Sequence, residues 1–145
     1  LCYGEEAVAL PLQIGEETYT AACVSVGNPH CVVFLDGIDA LDLPAIGPRF
    51  EYAPIFPERV NTEFVRLINA AALRVRVWER GNGETLACGT GACAVVAAAV
   101  KKGLCEAGRD ILVKLAGGDL TVNYTESRIL LTGDVTFVFA GEFEY

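Results

Sequence analysis

The chain has no methionine, one histidine and one tryptophan, and its cations are few: 11 Lys plus Arg stand against 19 Asp plus Glu, a formal net charge of −8. A sequence without clustered cations displaces few counterions from phosphate, which excludes nucleic acid and an anionic membrane surface as main partners. Long apolar runs are also missing. The longest, residues 92–100, falls well short of the roughly 20 residues a spanning helix needs, and two lysines follow it. Glu5 and Glu6 stand where a signal peptide would carry basic residues, so none is expected. The missing methionine, even at position 1, leads us to expect a processed chain or a fragment. No Cys-x-x-Cys pair is present, and Cys88 and Cys93 sit five apart at a helix start, so no metal site is expected.

What is present describes one folded domain spanning residues 1–145. At 52% hydrophobic and 21% charged, the chain can bury a real core. Its six cysteines raise the question of a disulfide framework. Cys31, Cys93 and Cys105 lie in or beside apolar segments at irregular spacings, and a core this large needs no staples. Free thiols in a reducing cytoplasm are expected instead.

Alternation of apolar and polar residues predicts strands over residues 8–14 and 18–26, joined by a hairpin turn at 15–17. A second apolar run, 31–35, follows the Gly27-Asn28-Pro29-His30 break. Residues 36–57, rich in Pro, Gly and acids, should hold a short helix near 44–51. Strands are predicted at 61–68 and 73–80, with turn residues at 81–83, and four more at 111–115, 120–124, 129–132 and 135–139. Residues 90–102, TGACAVVAAAVKK, form a helix apolar on all sides. Such a helix must be buried by strands, and Gly103 ends it. The expected fold is α+β, a mostly antiparallel curved sheet or barrel wrapped around a central buried helix.

Cys88, Gly89, Thr90 and Gly91 fall at the N-terminus of that helix, where the first N–H groups lack intrahelical partners and favour an anion. The position should lower the pKa of Cys88 and make its thiolate available near neutrality. A tight turn around a buried, inert cysteine is the alternative on the residues alone, and no G-x-x-x-x-G-K-[ST] pattern supports a phosphate loop. Glu79 continues the parity of Leu73, Val75 and Val77, so it either frays into solvent or aims into a pocket beside Cys88, where a carboxylate can relay the thiol proton. His30 sits at a strand entrance, held but accessible, as a structural or functional group. Cys31 should point to the opposite face, into the core. Asn28 and Asn61 open apolar segments, where capping is the plain role. Arg80 is either a carboxylate clamp or solvated surface.

Four blocks carry a resemblance: GNPHCVVF (27–34), RVNTEFV (59–65), VWERGNGETLACGTGACA (77–94) and TGDVTFVFAGE (132–142). In order and spacing, over nearly the whole chain, they resemble the C-terminal half of diaminopimelate epimerase. Thr90 stands where serine is also common, and Asp134 where proline is expected. The resemblance implies a cytoplasmic isomerase that interconverts LL- and meso-diaminopimelate without pyridoxal phosphate, metal or any other cofactor, serving lysine and peptidoglycan synthesis. It implies two catalytic cysteines, one per half, of which Cys88 matches the second. Glu79 would tune or relay the proton of Cys88, and His30 that of the partner cysteine. Asn28, Asn61, Glu79, Arg80, Gly89 and Thr90 match substrate-binding positions.

No second Cys-Gly block at a helix start is found, so the resemblance also implies a missing N-terminal half, with this chain inactive alone. A homodimer of the intact enzyme is a further implied partner, with neither nucleic acid nor membrane. Two alternatives remain: half of another cofactor-independent amino-acid racemase or isomerase, such as proline racemase, and a non-catalytic binding domain of the same fold.

Overall fold

Antiparallel strands can be joined by tight turns, but parallel neighbours need a crossover, and here each of two crossovers contains a helix. The computed structural model describes residues 9–144; Glu5, Glu6 and residue 8 of the first predicted strand lie outside the described residues. The strands are β1 (Leu10–Ile14), β2 (Glu17–Ser25), β3 (Pro29–Phe34), β4 (Asn61–Asn69), β5 (Ala72–Glu79), β6 (Gly83–Thr85), β7 (Asp110–Leu115), β8 (Gly118–Thr125) and β9 (Arg128–Thr132). The helices are α1 (Leu43–Glu51) and α2 (Gly89–Lys101), with a 3₁₀ turn at Ile38–Ala40.

The sheet runs β1-β2-β3-β4-β5-β7-β8-β9, with β6 also on β5. Pairing is antiparallel except at β3–β4, bridged by α1, and β5–β7, bridged by β6 and α2. One edge of β5 is shared: Ala72 to Arg74 pair with β7, and Val77 to Glu79 with β6. The sheet is mixed, curved and open, ending at β1 and β9 rather than closing as a barrel.

Strand alternation sorts side chains into two cores. Val32, Val65, Leu73, Val75, Ile111 and Val113 face α2. Cys31, Val33 and Phe64, with Leu43 and Phe50 of α1, build the second core. Adjacent residues of β3 and β4 thus enter different cores, which accounts for their continuously buried runs. The alanines of α2 let its backbone approach the sheet closely, and it packs against β2, β3, β4, β8 and β9.

The structure corrects the sequence reading at three places. Residues 135–139 form no strand; Val135, Phe137, Val138 and Phe139 are exposed, and no described strand pairs with them. A strand exists only where a neighbour accepts and donates its ladder bonds, which local alternation does not supply. β6 is extra, formed because the turn at Gly81 folds residues 83–85 back on β5. β3 begins at Pro29, inside the expected break, because Ser25 pairs with Pro29.

The α1 core is latched by a buried carboxylate. Glu51 accepts from Trp78 Nε1 at 2.8 Å, from the Gly81 N–H at 2.9 Å and from Arg59 Nη1 at 3.2 Å. These bonds tie α1 to the β5–β6 turn and set where β5 ends. The Trp78 ring lies directly on Gly47, where an added Cβ would come within 2.2 Å of it. Gly47→Ala should therefore lower the unfolding free energy by about 1–3 kcal/mol in urea titrations, the overpacking range, because Trp78 is held by Glu51 and cannot yield.

Candidate active site

Strand direction gathers the polar residues. β3 and β4 are parallel, so His30 and Asn61 pair at their common starting end. β5 runs against β4, so its C-terminal Glu79 arrives at that same end. Parity does the rest: His30, Glu63 and Glu79 share the face occupied by α2, whose first turn stands over them.

Cys88 is the N-cap of α2, and its Sγ accepts the Gly91 N–H at 3.3 Å. Sulfur is a weak acceptor where Ser, Thr, Asp or Asn would cap better, so this residue serves the helix poorly. The Thr90 hydroxyl lies 3.6 Å from Sγ. Asn28 Nδ2 donates to Thr90 Oγ1 at 3.3 Å, and Asn28 Oδ1 lies 3.0 Å from His30 Nε2. His30 Nδ1 lies 2.7 Å from Glu63 Oε1. A continuous polar chain therefore runs from Glu63 to the thiol.

Glu79 is half-buried and accepts from Thr85 Oγ1 at 2.6 Å, so it aims inward rather than fraying. Asn61 works as a backbone clip: Nδ2 donates to the Pro29 carbonyl at 3.0 Å and Oδ1 accepts the Arg80 N–H at 3.1 Å. Arg80 is half-buried and donates from Nη1 to the Glu58 carbonyl at 2.9 Å, leaving its other guanidinium donors for a ligand. Gly89 opens the helix beneath Leu131, and Thr90 is exposed beside it. Cys31 lies in the opposite core, as its parity requires.

Two expectations are corrected. His30 is not accessible: its side chain is fully buried, with both ring nitrogens engaged. Nor is the Cys88 thiolate favoured near neutrality. Burial pushes its thiol up, and negative charge on the nearby Glu63 and Glu79 carboxyls pushes the same way; the Thr90 hydroxyl and the Gly91 N–H pull it down without prevailing. Desolvation outweighs the helix terminus because it acts on the full charge, whereas the N–H groups contribute partial charges.

Glu63 was not singled out from the sequence, although its parity with Asn61 and Val65 put an acid on an otherwise apolar face. It is completely buried, and burial raises its pKa against the opposing effect of His30.

A family model for diaminopimelate epimerase matches residues 22–138. The diaminopimelate epimerase of Desulfovibrio desulfuricans is 53% identical over 138 residues, covering 94% of this chain and 47% of that relative. The diaminopimelate epimerase of Synechocystis is 48% identical over 143 residues, covering 97% and 50%. The chain thus spans about half the length of these relatives. Among solved structures, a hydroxyproline epimerase from Agrobacterium vitis aligns with a TM-score of 0.56 at 16% identity, covering 88% of this chain and 44% of that one. A Bacillus anthracis phenazine biosynthesis protein of the PhzF family aligns at 0.54 and 22%, covering 78% and 38%. At such identities the likeness is one of fold.

The raised thiol makes a direct prediction. Iodoacetamide should modify Cys88 slowly at pH 7, with the rate rising through a midpoint above that of an ordinary cysteine. Glu79→Gln removes a nearby negative charge and should move that midpoint down; mass spectrometry of the alkylated peptide across pH checks both.

Proposed function

The chain belongs to the diaminopimelate epimerase family, and we propose that it supplies one of the two proton-transfer thiols, Cys88, with which such an enzyme inverts a stereocentre of diaminopimelate. The observation that carries this reading is the thiol standing as N-cap of a buried helix, with Glu79 and the Glu63–His30 pair at the same sheet end.

The chemistry follows from what inversion at Cα demands. A base removes the Cα hydrogen as a proton from one face, and the electron pair left behind delocalises into the adjoining carboxylate. An acid then returns a proton to the opposite face, and each group ends in the other's starting state. Cys88 begins as a thiol, so it is the donor in one direction and, once deprotonated, the acceptor in the other. Glu79 takes up or returns the thiol proton. The substrate carboxylate would lie at the first turn of α2, where the Gly89 and Thr90 N–H groups have no intrahelical acceptor and stabilise the developing negative charge. Arg80 and the amide of Asn28 would complete its binding, and Asn61 would hold Arg80 by its backbone.

The second cysteine would come from an N-terminal half, in keeping with relatives about twice as long. The chain alone would then be inactive, and the whole enzyme would act in the cytoplasm without a cofactor, in the synthesis of lysine and peptidoglycan precursors.

Deuterium uptake at Cα of LL-diaminopimelate in D₂O, followed by NMR, tests the proposal. Exchange with inversion is expected when this chain is combined with the N-terminal half of its enzyme. None is expected from this chain alone, and Cys88→Ser in the combination should lower inversion by at least roughly 10³-fold while preserving the helix cap. Inversion of a proline or hydroxyproline in its place would move the substrate, and turnover by the isolated chain would overturn the two-thiol reading.

A further inference from the structure

Glu63 is used by none of the steps above, yet it is a carboxyl group with no solvent exposure, placed directly behind the first turn of α2. We propose that Glu63 is a positioning residue: a protonated carboxylic acid that donates to His30 Nδ1, and so fixes the ring with its Nε2–H aimed at Asn28. The role in orienting groups around Cys88 rests on the function proposed above; the state of the Glu63–His30 pair does not.

The hydrogen-bond inventory leads there step by step. Asn28 Nδ2 donates to Thr90, which turns Oδ1 toward His30, and an amide oxygen only accepts. The proton in that 3.0 Å contact must therefore sit on Nε2. The 2.7 Å contact between Nδ1 and Glu63 Oε1 then needs one proton of its own. Either the ring takes a second proton and Glu63 is ionised, or the acid keeps it.

The surroundings decide between these. Glu63 Oε2 is buried and has no hydrogen-bond partner. An ionised carboxylate would leave a charged oxygen buried with no protein partner, whereas the protonated acid leaves only a carbonyl oxygen there, a far smaller desolvation penalty. The titratable groups facing Glu63 are His30 from β3, Glu79 from β5 and Cys88 from the start of α2, and none is a permanent cation. Burial accordingly raises the carboxyl pKa.

Gly91 makes the arrangement sterically available. A Cβ there would lie 2.6 Å from Glu63 Oε1 and 3.2 Å from Cys88 Sγ, so the missing side chain leaves room for acid and thiol together. With the tautomer held, the Asn28 amide is oriented, its Nδ2 meets Thr90, and the Thr90 hydroxyl is presented to Sγ. Glu63 thereby sets the polar face around the thiol without touching it through a hydrogen bond of its own.

His30 is the sole histidine, so ring-¹⁵N labelling of this chain yields one pair of resonances. The expected spectrum near pH 7 has a protonated Nε2 and an unprotonated, hydrogen-bonded Nδ1. One glutamate ¹³C carboxyl signal should keep its protonated position there and vanish in Glu63→Gln. That variant should retain the tautomer, because its amide N–H still donates; Glu63→Val should release it. Unfolding supplies a second reading. A raised carboxyl pKa contributes stability that is lost as pH rises above the ordinary carboxylate range, so Glu63→Gln should show a flatter stability profile across that rise.

In the complete enzyme, Glu63→Val should slow inversion on the order of tenfold, as for a residue acting through another, with Glu63→Gln recovering most of the loss. A doubly protonated ring, or a Glu63 carboxyl that titrates with the exposed acids, overturns the inference in the wild-type chain alone. The expected spectra without any inversion by the complete enzyme would retain the protonated pair and remove the proposed function.

Discussion

A helix with no polar face has nowhere to sit except inside the concavity of a sheet, and the burial of α2 organises most of this domain. Because its Ala and Val side chains are covered from β2, β3, β4, β8 and β9, the sheet must bend around it, and the two parallel pairings provide the crossovers that carry the chain across. The same burial brings the N-terminus of α2 against strand ends instead of into open solvent. Partial positive charge, a thiol and three polar strand residues are therefore brought together by a packing requirement that is itself wholly apolar.

That packing has an electrostatic consequence. Exclusion of water strengthens each hydrogen bond around Cys88, and it also penalises each charge. Both the Cys88 thiol and the Glu63 carboxyl are raised, each first by desolvation. Both groups are consequently biased toward their protonated forms. Sγ is a weaker cap at the helix start than a hydroxyl or carboxylate would be.

The opposite face is scaffold. Glu51 gathers Trp78, Arg59 and the Gly81 N–H, and thereby fixes where β5 turns and where Glu79 and Arg80 stand. Arg59 is the only described non-glycine residue in the left-handed region, at φ 61°, two residues before Asn61 opens the β4 strand that also carries Glu63. A backbone held there costs about 1–3 kcal/mol, and the bond from Arg59 to Glu51 is one of the contacts that hold it.

Local patterning determined a great deal from the sequence alone. The strand positions, the α1 and α2 spans, the parity that puts Glu79 on the face of Val75 and Val77, and the opposite facing of His30 and Cys31 all follow from periods of two and 3.6. The inward aim of Glu79 came only with its bond from Thr85. The motif blocks identified the family. What failed locally was whatever depends on a neighbour: residues 135–139 alternate like a strand but have no described partner, and β6 exists only because β5 has a free stretch of edge. The state of Cys88 was misread for the same reason. A helix start is visible in sequence, whereas the depth of burial and the approach of Glu63 and Glu79 depend on three elements arriving together. Glu63 looked like an ordinary polar residue in a strand until the parallel register of β3 and β4 set it against His30, and the absence of a side chain at Gly91 let it stand beneath the thiol. Periodicity decides which way a side chain points. Only tertiary register decides what it meets there, and desolvation, the largest influence on these protons, is a property of that meeting.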